Sequence, residues 1–258
     1  MITSPANRKV KLVRALGRKK ERYAARAFVI EGVRLLEQAL DARVLPSLVL
    51  HTPSIETDAR ARTLFERLHA TTPEVYVVSE AILHEVTQTE TPQGLVAVVP
   101  FVERPLPPQP QFVLILDALR DPGNAGTIFR SASAAGVDAL FLAPGSADPY
   151  NPKVVRAAMG AHWSVPWRVA AWHHIVNAVA HIPRVYLADA RGEVTYTRAD
   201  WTRPVALIIG SEAHGASAPA QQIATARIRI PLRGGIESLN AAMAATLLLF
   251  EATRNIHA

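Results

Sequence analysis

Five short, largely apolar runs punctuate the second half of the chain: Phe112 to Leu116, Ala139 to Ala143, Val185 to Ala188, Val205 to Ile209 and Ile228 to Ile230. A strand that buries one face alternates apolar with polar residues, whereas an unalternating run needs cover on both faces. Helical patterns fall between and after these runs, at about Ala125 to Ala135, Pro152 to Met159, His173 to Ala180, Ala218 to Ala224 and Ser238 to Arg254. Strands alternating with helices predict an α/β fold around a parallel sheet.

Ahead of these runs, Pro100, Pro105, Pro107, Pro108 and Pro110 crowd a stretch that can be neither helix nor central strand. It reads as an interdomain linker over 101–111, and a 258-residue chain is long enough for two domains. Upstream, strands are expected at Ala27 to Glu31, Ser47 to His51, Val75 to Val78 and Gly94 to Val99, with helices at Val33 to Leu40, Asp58 to His69 and from Ser79. The division predicted is a basic arm over 1–26, a smaller α/β domain over 27–100, the linker, and a larger domain over 112–258.

Charge is unevenly spread. Residues 1–26 carry nine Lys/Arg and one acid, leaving a balance of −2 for the rest of a chain whose net charge is +6. Arg8, Lys9, Lys11, Arg18, Lys19 and Lys20 of this stretch suit a phosphate backbone, with a solvated basic helix as the alternative. With 49% hydrophobic and 19% charged residues the chain has ample core material. The absence of cysteine excludes disulfides and thiolate chemistry. No apolar run approaches the ~18 residues of a spanning helix, so no membrane segment and a cytoplasmic location are expected.

Ligands of open α/β sheets bind beyond the carboxyl ends of strands, where three polar stretches fall: 117–130, 210–215 and 231–240. In the first, Gly123 and Gly126 allow close backbone approach before a helix start, although an ordinary strand-to-helix turn would read the same way. Neither a Gly-x-Gly-x-x-Gly fingerprint nor a P-loop is present, because Ala216 and Ser217 follow Gly215 where Lys and Ser/Thr would be required. No histidine group has metal-binding spacing, so no metal is expected. Arg130 lies less than two helical turns past Asn124, as a candidate phosphate clamp or a plain surface cation. Glu212 near one helix start and Ser238 before another each have a capping explanation.

Together the stretches Asp-Ala-Leu-Arg-Asp-Pro-Gly-Asn-Ala-Gly-Thr-Ile-Phe-Arg, Gly-Ser-Glu-Ala-His-Gly and Pro-Leu-Arg-Gly-Gly-Ile-Glu-Ser-Leu-Asn resemble the three signature motifs of the SpoU/TrmH family of RNA ribose 2′-O-methyltransferases, in the SPOUT superfamily. The resemblance implies S-adenosylmethionine as cofactor and a catalytic α/β domain with a deep trefoil knot. It also implies a first domain folded like a ribosomal RNA-binding protein, matched by Phe28-Val29-Ile30-Glu31-Gly32 with Arg34 and by Thr91 to Val96. The catalytic set it implies is Asn124, Arg130, Glu212, Ser238 and Asn240. Arg130 would act as a base helped by an RNA phosphate, or as an electrostatic orienter, since a guanidinium with pKa above ~12 stays protonated. Gly210, Ile230 and Leu239 match cofactor positions, with Ala188 and Asp189 bordering the pocket. Lys153 and Arg156, in another matching stretch, join Arg34 as candidate RNA contacts, with surface solvation as their alternative. The implied assembly is a homodimer, and the implied substrate is ribosomal RNA. Transfer RNA is the alternative, as is a non-catalytic RNA-binding protein that retains the cofactor pocket.

Overall fold

The computed structural model of the protein describes residues 1–69, 71, 74–87, 89, 91–211 and 215–254. It divides into two compact units, Met1–Val102 with Tyr150–Arg156, and Glu103–Pro149 with Ala157–Ala258.

The first unit runs α1 (Arg8–Ala15), α2 (Lys19–Ala25), β1 (Ala27–Glu31), α3 (Val33–Asp41), β2 (Leu48–His51), α4 (Ala59–His69), β3 (Val75–Val77), α5 (Glu80–Val86) and β4 (Leu95–Pro100). Its sheet has the order β1-β4-β2-β3, antiparallel except for β2 with β3. The stretch over 1–26, read from its charge as an arm, is folded into this unit. Val10 and Val13 on α1 and Leu16 at its C-cap recur every third residue and are buried against Leu48, Leu50, Ile82 and Leu83. Burying three such side chains stabilises by on the order of 5 kcal/mol before entropy is counted. Arg22 is 3% exposed, and its guanidinium donates to Leu16 O at 3.1 Å and Gly17 O at 2.8 Å, closing the end of α1. That cation is structural, and counting charges had missed the apolar stripe beneath it.

The second unit contains β5 (Phe112–Leu116), α6 (Pro122–Ala134) and β6 (Ala139–Leu142), then α7 (Pro152–Ala158), within which the unit boundary falls. It continues through β7 (Trp167–Val169), α8 (Trp172–Val179), β8 (Arg184–Ala188), β9 (Val194–Thr195), β10 (Val205–Ile209), α9 (Ala218–Ile223), β11 (Ala226–Arg229) and α10 (Ala241–Glu251). Seven strands in the order β7-β6-β5-β10-β8-β11-β9 pair in parallel throughout. Val113, Ile115, Phe141, Leu187 and Ile208 are buried on this sheet under Ile175 and Val179 of α8, which explains the unalternating runs. The edge strands β7 and β9, three and two residues long, carry too little pattern to be read from sequence.

Register explains why the polar stretches converge. Leu116 pairs with Ile209, Ile209 with Ala188, and Ala188 with Ile228, so the last residues of β5, β10 and β8 lie level with the penultimate residue of β11. The next residues, Asp117, Gly210, Asp189 and Arg229, therefore share one carboxyl edge. The order also reverses there: from β5 the chain goes outward to β6 and β7, whereas β10 and β8 lie on the other side. Such switch points open a crevice.

Candidate active site

At the end of β5, Asp117 is 1% exposed and Ala118 adopts the left-handed conformation with φ 53°, which turns the chain sharply. Asp121 caps α6 by accepting from Asn124 N at 2.7 Å, with Pro122 in the first turn. The helix therefore starts three residues before the expected Ala125 and carries Asn124 in its first turn. Ala125, Ile128 and Phe129 are buried along α6, and Arg130 is exposed. Six residues on from Asn124, Arg130 is rotated by roughly 240° about the helix axis. Among the described residues the Arg130 guanidinium makes no hydrogen bond or ion pair.

The second stretch follows β10. Ser211 N donates to Gly215 O at 3.0 Å and Gly215 N to Ser211 O at 2.9 Å. A Cβ on Gly210 would fall 3.0 Å from Ala216 N, so any larger residue would have to push the backbone of Gly215 and Ala216 aside. Glu212 and His214 lie outside the described residues.

In the third stretch Gly234 and Gly235 take φ of 78° and 72°. Ser238 does not cap the last helix, and the helix does not begin there as expected. Asn240 is the cap: its Oδ1 accepts from Ala242 N at 2.9 Å and Met243 N at 3.2 Å, so α10 starts at Ala241. Asn caps as well as Ser does, and the residue whose oxygen reaches the free N–H groups sets the boundary. Asn240 Nδ2 donates to Asn124 Oδ1 at 2.9 Å, tying the third stretch to the first across 116 residues of chain.

A cavity of about 570 Å³ opens at this edge. Ala188, Asp189, Gly210, Ile230 and Leu239 all line it, as do Ser238 and Asn240. Asn124 is joined to it through Asn240, whereas Arg130 is not among its lining residues. Leu187, Ile209, Ile228 and Leu248 supply an apolar wall, and the volume is that of a small-molecule site. Sequence reading missed Gln221 and Arg227 on the rim. Gln221 Nε2 donates to Ala216 O at 2.8 Å, and Arg227 reaches Gln221 Oε1 at 3.3 Å and Asp189 Oδ2 at 3.6 Å. Both lie outside the three stretches, and only the strand order brings them in.

The cations assigned to RNA lie in the first unit. Arg8, Lys11, Arg18, Lys19, Lys20, Arg34 and Lys153 are exposed, and Arg156 is half-buried. Lys9 pairs with Glu74 at 2.7 Å, and that hydrogen bond raises its pKa. Arg18 lies 3.6 Å from Glu21. Among the described residues no group of three metal-ligating side chains forms, and no helix is long and apolar enough to cross a membrane.

Comparison with known proteins gives two family matches: SpoU rRNA methylase over residues 111–250, and the MRM3-like substrate-binding domain over 7–97. The chain is 35% identical to the Bacillus subtilis 23S rRNA (guanosine(2553)-2′-O)-methyltransferase RlmP, covering 96% of this chain and 97% of that one. It is 32% identical to the Streptomyces viridochromogenes 23S rRNA (uridine(2479)-2′-O)-methyltransferase, covering 93% and 86%. Among solved structures, the AdoMet-bound rRNA methyltransferase of Sinorhizobium meliloti superposes with a TM-score of 0.87 at 32% identity, over 99% of this chain and 97% of that one.

Proposed function

The chain belongs to the SpoU rRNA methylase family, and on that premise we propose that it methylates a ribose 2′-hydroxyl of ribosomal RNA with S-adenosylmethionine as donor. The observation that carries this reading is the cavity at the carboxyl edge of the parallel sheet, where Asn240 both caps α10 and holds Asn124. Bound there, S-adenosylmethionine supplies a methyl group made electrophilic by the sulfonium.

The cavity fits that group. Apolar walls from Leu187, Ile209, Ile230 and Leu239 suit an adenosine, and Gly210, Ala188 and Asp189 line the cavity beside them. The ribose-facing set is Asn124, Arg130, Ser238 and Asn240, with Glu212 assigned from its motif. In the transfer the ribose 2′-oxygen would bond to the methyl carbon as the carbon–sulfur bond opposite it breaks, S-adenosylhomocysteine would leave, and the hydroxyl proton would pass to an RNA phosphate or to water. Holding that oxygen in place contributes much of the acceleration. Arg130, charged and without a protein partner among the described residues, is available to orient the ribose through its phosphate.

The first unit, matched over 7–97 to a substrate-binding domain, supplies the exposed cations for the RNA backbone. The relatives act on guanosine and on uridine, so the modified base does not follow from family membership. A homodimer is supported by the Met243, Leu247 and Phe250 stripe on α10, which is 63%, 46% and 49% exposed. A cytoplasmic location is consistent with a ribosomal RNA substrate.

The test is transfer of labelled methyl from S-adenosylmethionine to RNA from cells lacking this protein, followed by alkaline-cleavage mapping. One protected ribosomal position is expected. Protection only in transfer RNA would move the substrate class, and cofactor binding without transfer to any RNA would leave a non-catalytic binding protein.

A further inference from the structure

The strand end that opens the first motif carries a carboxylate with no role in the chemistry above. Asp117 is 1% exposed, its N–H donates to Ile209 O at 2.9 Å, and its Oδ2 accepts from Ser217 N at 2.6 Å. Ile209 and Ser217 flank the 210–216 loop on either side. One residue therefore grips both ends of the loop that supplies Gly210, Ser211, Gly215 and Ala216 to the cavity.

The other oxygen, Oδ1, is buried and has no hydrogen-bond partner among the described residues. Buried polar atoms are nearly always paired, and a half-satisfied carboxylate costs stability that an apolar side chain would not. What the carboxylate gains is geometric. A side-chain oxygen 2.6 Å from the Ser217 N–H ties the loop neck to the strand end, and the amide oxygen of an asparagine could do the same. The neck is narrow already, with Ser211 and Gly215 exchanging two backbone bonds and Gly210 packed on Ala216.

We propose that Asp117 is a positioning residue that latches the two described ends of the segment after β10, Gly210–Ser211 and Gly215–Ala216, to the end of β5 and thereby sets the affinity for S-adenosylmethionine. The proposal rests on reading the cavity as the cofactor site. A latch that acts through the loop weakens cofactor binding when it is lost, whereas loss of a residue acting only in the chemistry lowers turnover at saturation and leaves binding unchanged.

The experiment titrates S-adenosylmethionine into the full chain by calorimetry and measures methyl transfer to RNA at saturating cofactor. Asp117→Ala is expected to weaken binding at least tenfold. Asp117→Asn, which keeps an acceptor for Ser217 N, is expected to restore binding to within threefold. Should Asp117→Ala not fold, the same bond can be cut from its other end. Ser217 has φ −67°, which accommodates proline, so Ser217→Pro removes the donor, and Ser217→Ala controls for loss of the hydroxyl cap on α9. Ser217→Pro is expected to match the tenfold loss and Ser217→Ala to bind within threefold. Wild-type affinity in Asp117→Ala or Ser217→Pro overturns the proposal, as does a fall in kcat with unchanged affinity, or an Asn variant as weak as Ala. A wild-type chain that does not bind S-adenosylmethionine overturns the functional reading itself, and this proposal with it.

Discussion

Arg130 is the residue at which chemistry and geometry pull apart. Its motif assigns it to the reacting ribose, yet it is exposed on α6 and does not line the cavity that receives Asn240. A guanidinium that stays protonated acts by charge and by its fork of donors, so it serves a substrate that comes to it. Arg130→Ala should lower methyl transfer at least ~100-fold, in the range for losing one donor to a developing charge. Cofactor affinity should stay within a few-fold. Near-normal turnover in the variant would remove Arg130 from the mechanism. A second residue-scale effect comes from His162, buried beside Phe129 with Nε2 2.7 Å from Pro149 O. Burial lowers its pKa from 6.5 to about 4, against smaller opposing effects of the Pro149 hydrogen bond and the Asp148 charge. As pH falls through 6.5 the unfolded chain binds a proton that the folded chain refuses until about pH 4. Stability should therefore decline across that window by roughly 3 kcal/mol at ~1.4 kcal/mol per unit. Urea unfolding at several pH values should show a shallower decline for His162→Gln, and identical slopes would refute the assignment.

At the level of elements, α10 shows how a local signal can mark the right segment with the wrong boundary. The string Ser238-Leu239-Asn240 contains two good capping residues, and local preference does not choose between them. Tertiary contact does, because Asn240 also donates to Asn124 on α6 and is held where its oxygen meets Ala242 and Met243. The two duties are separable. Asn240→Ser keeps a capping oxygen and loses the amide donor, so it should unfold at nearly wild-type denaturant concentration yet lose most methyl transfer. Asn240→Ala should in addition lose about 1 kcal/mol of stability. Wild-type turnover in the Ser variant would reduce Asn240 to a cap. The opposite lesson comes from α1. Its nine-cation neighbourhood dominated the sequence reading, while Val10, Val13 and Leu16, enough to dock a helix, were spread thinly among lysines and arginines.

For the whole molecule, α10 is apolar nearly all round. Ala242, Ala245, Leu248 and Leu249 are buried, and Met243, Leu247 and Phe250 form an exposed stripe on another face. An exposed apolar stripe of this kind marks a surface for association. If the proposed homodimer covers this stripe, the wild-type chain should sediment as a dimer and Leu247→Glu as a monomer. A monomeric wild type would free the stripe for another role. The sequence alone determined the α/β class, the parallel sheet, most strands to within a residue or two and the three loops. These are written in local composition: unalternating apolar runs need cover on both faces, and glycine, proline and capping side chains punctuate them. Only the tertiary structure decided that Asn124 meets Asn240, that Gln221 and Arg227 reach the cavity, and that Asp117 holds the neck of the 210–216 loop. Each of those contacts depends on strand order and register, and no local pattern encodes which strand lies beside which. Burial of the sheet as a whole selects that arrangement, and the site at its carboxyl edge follows from it.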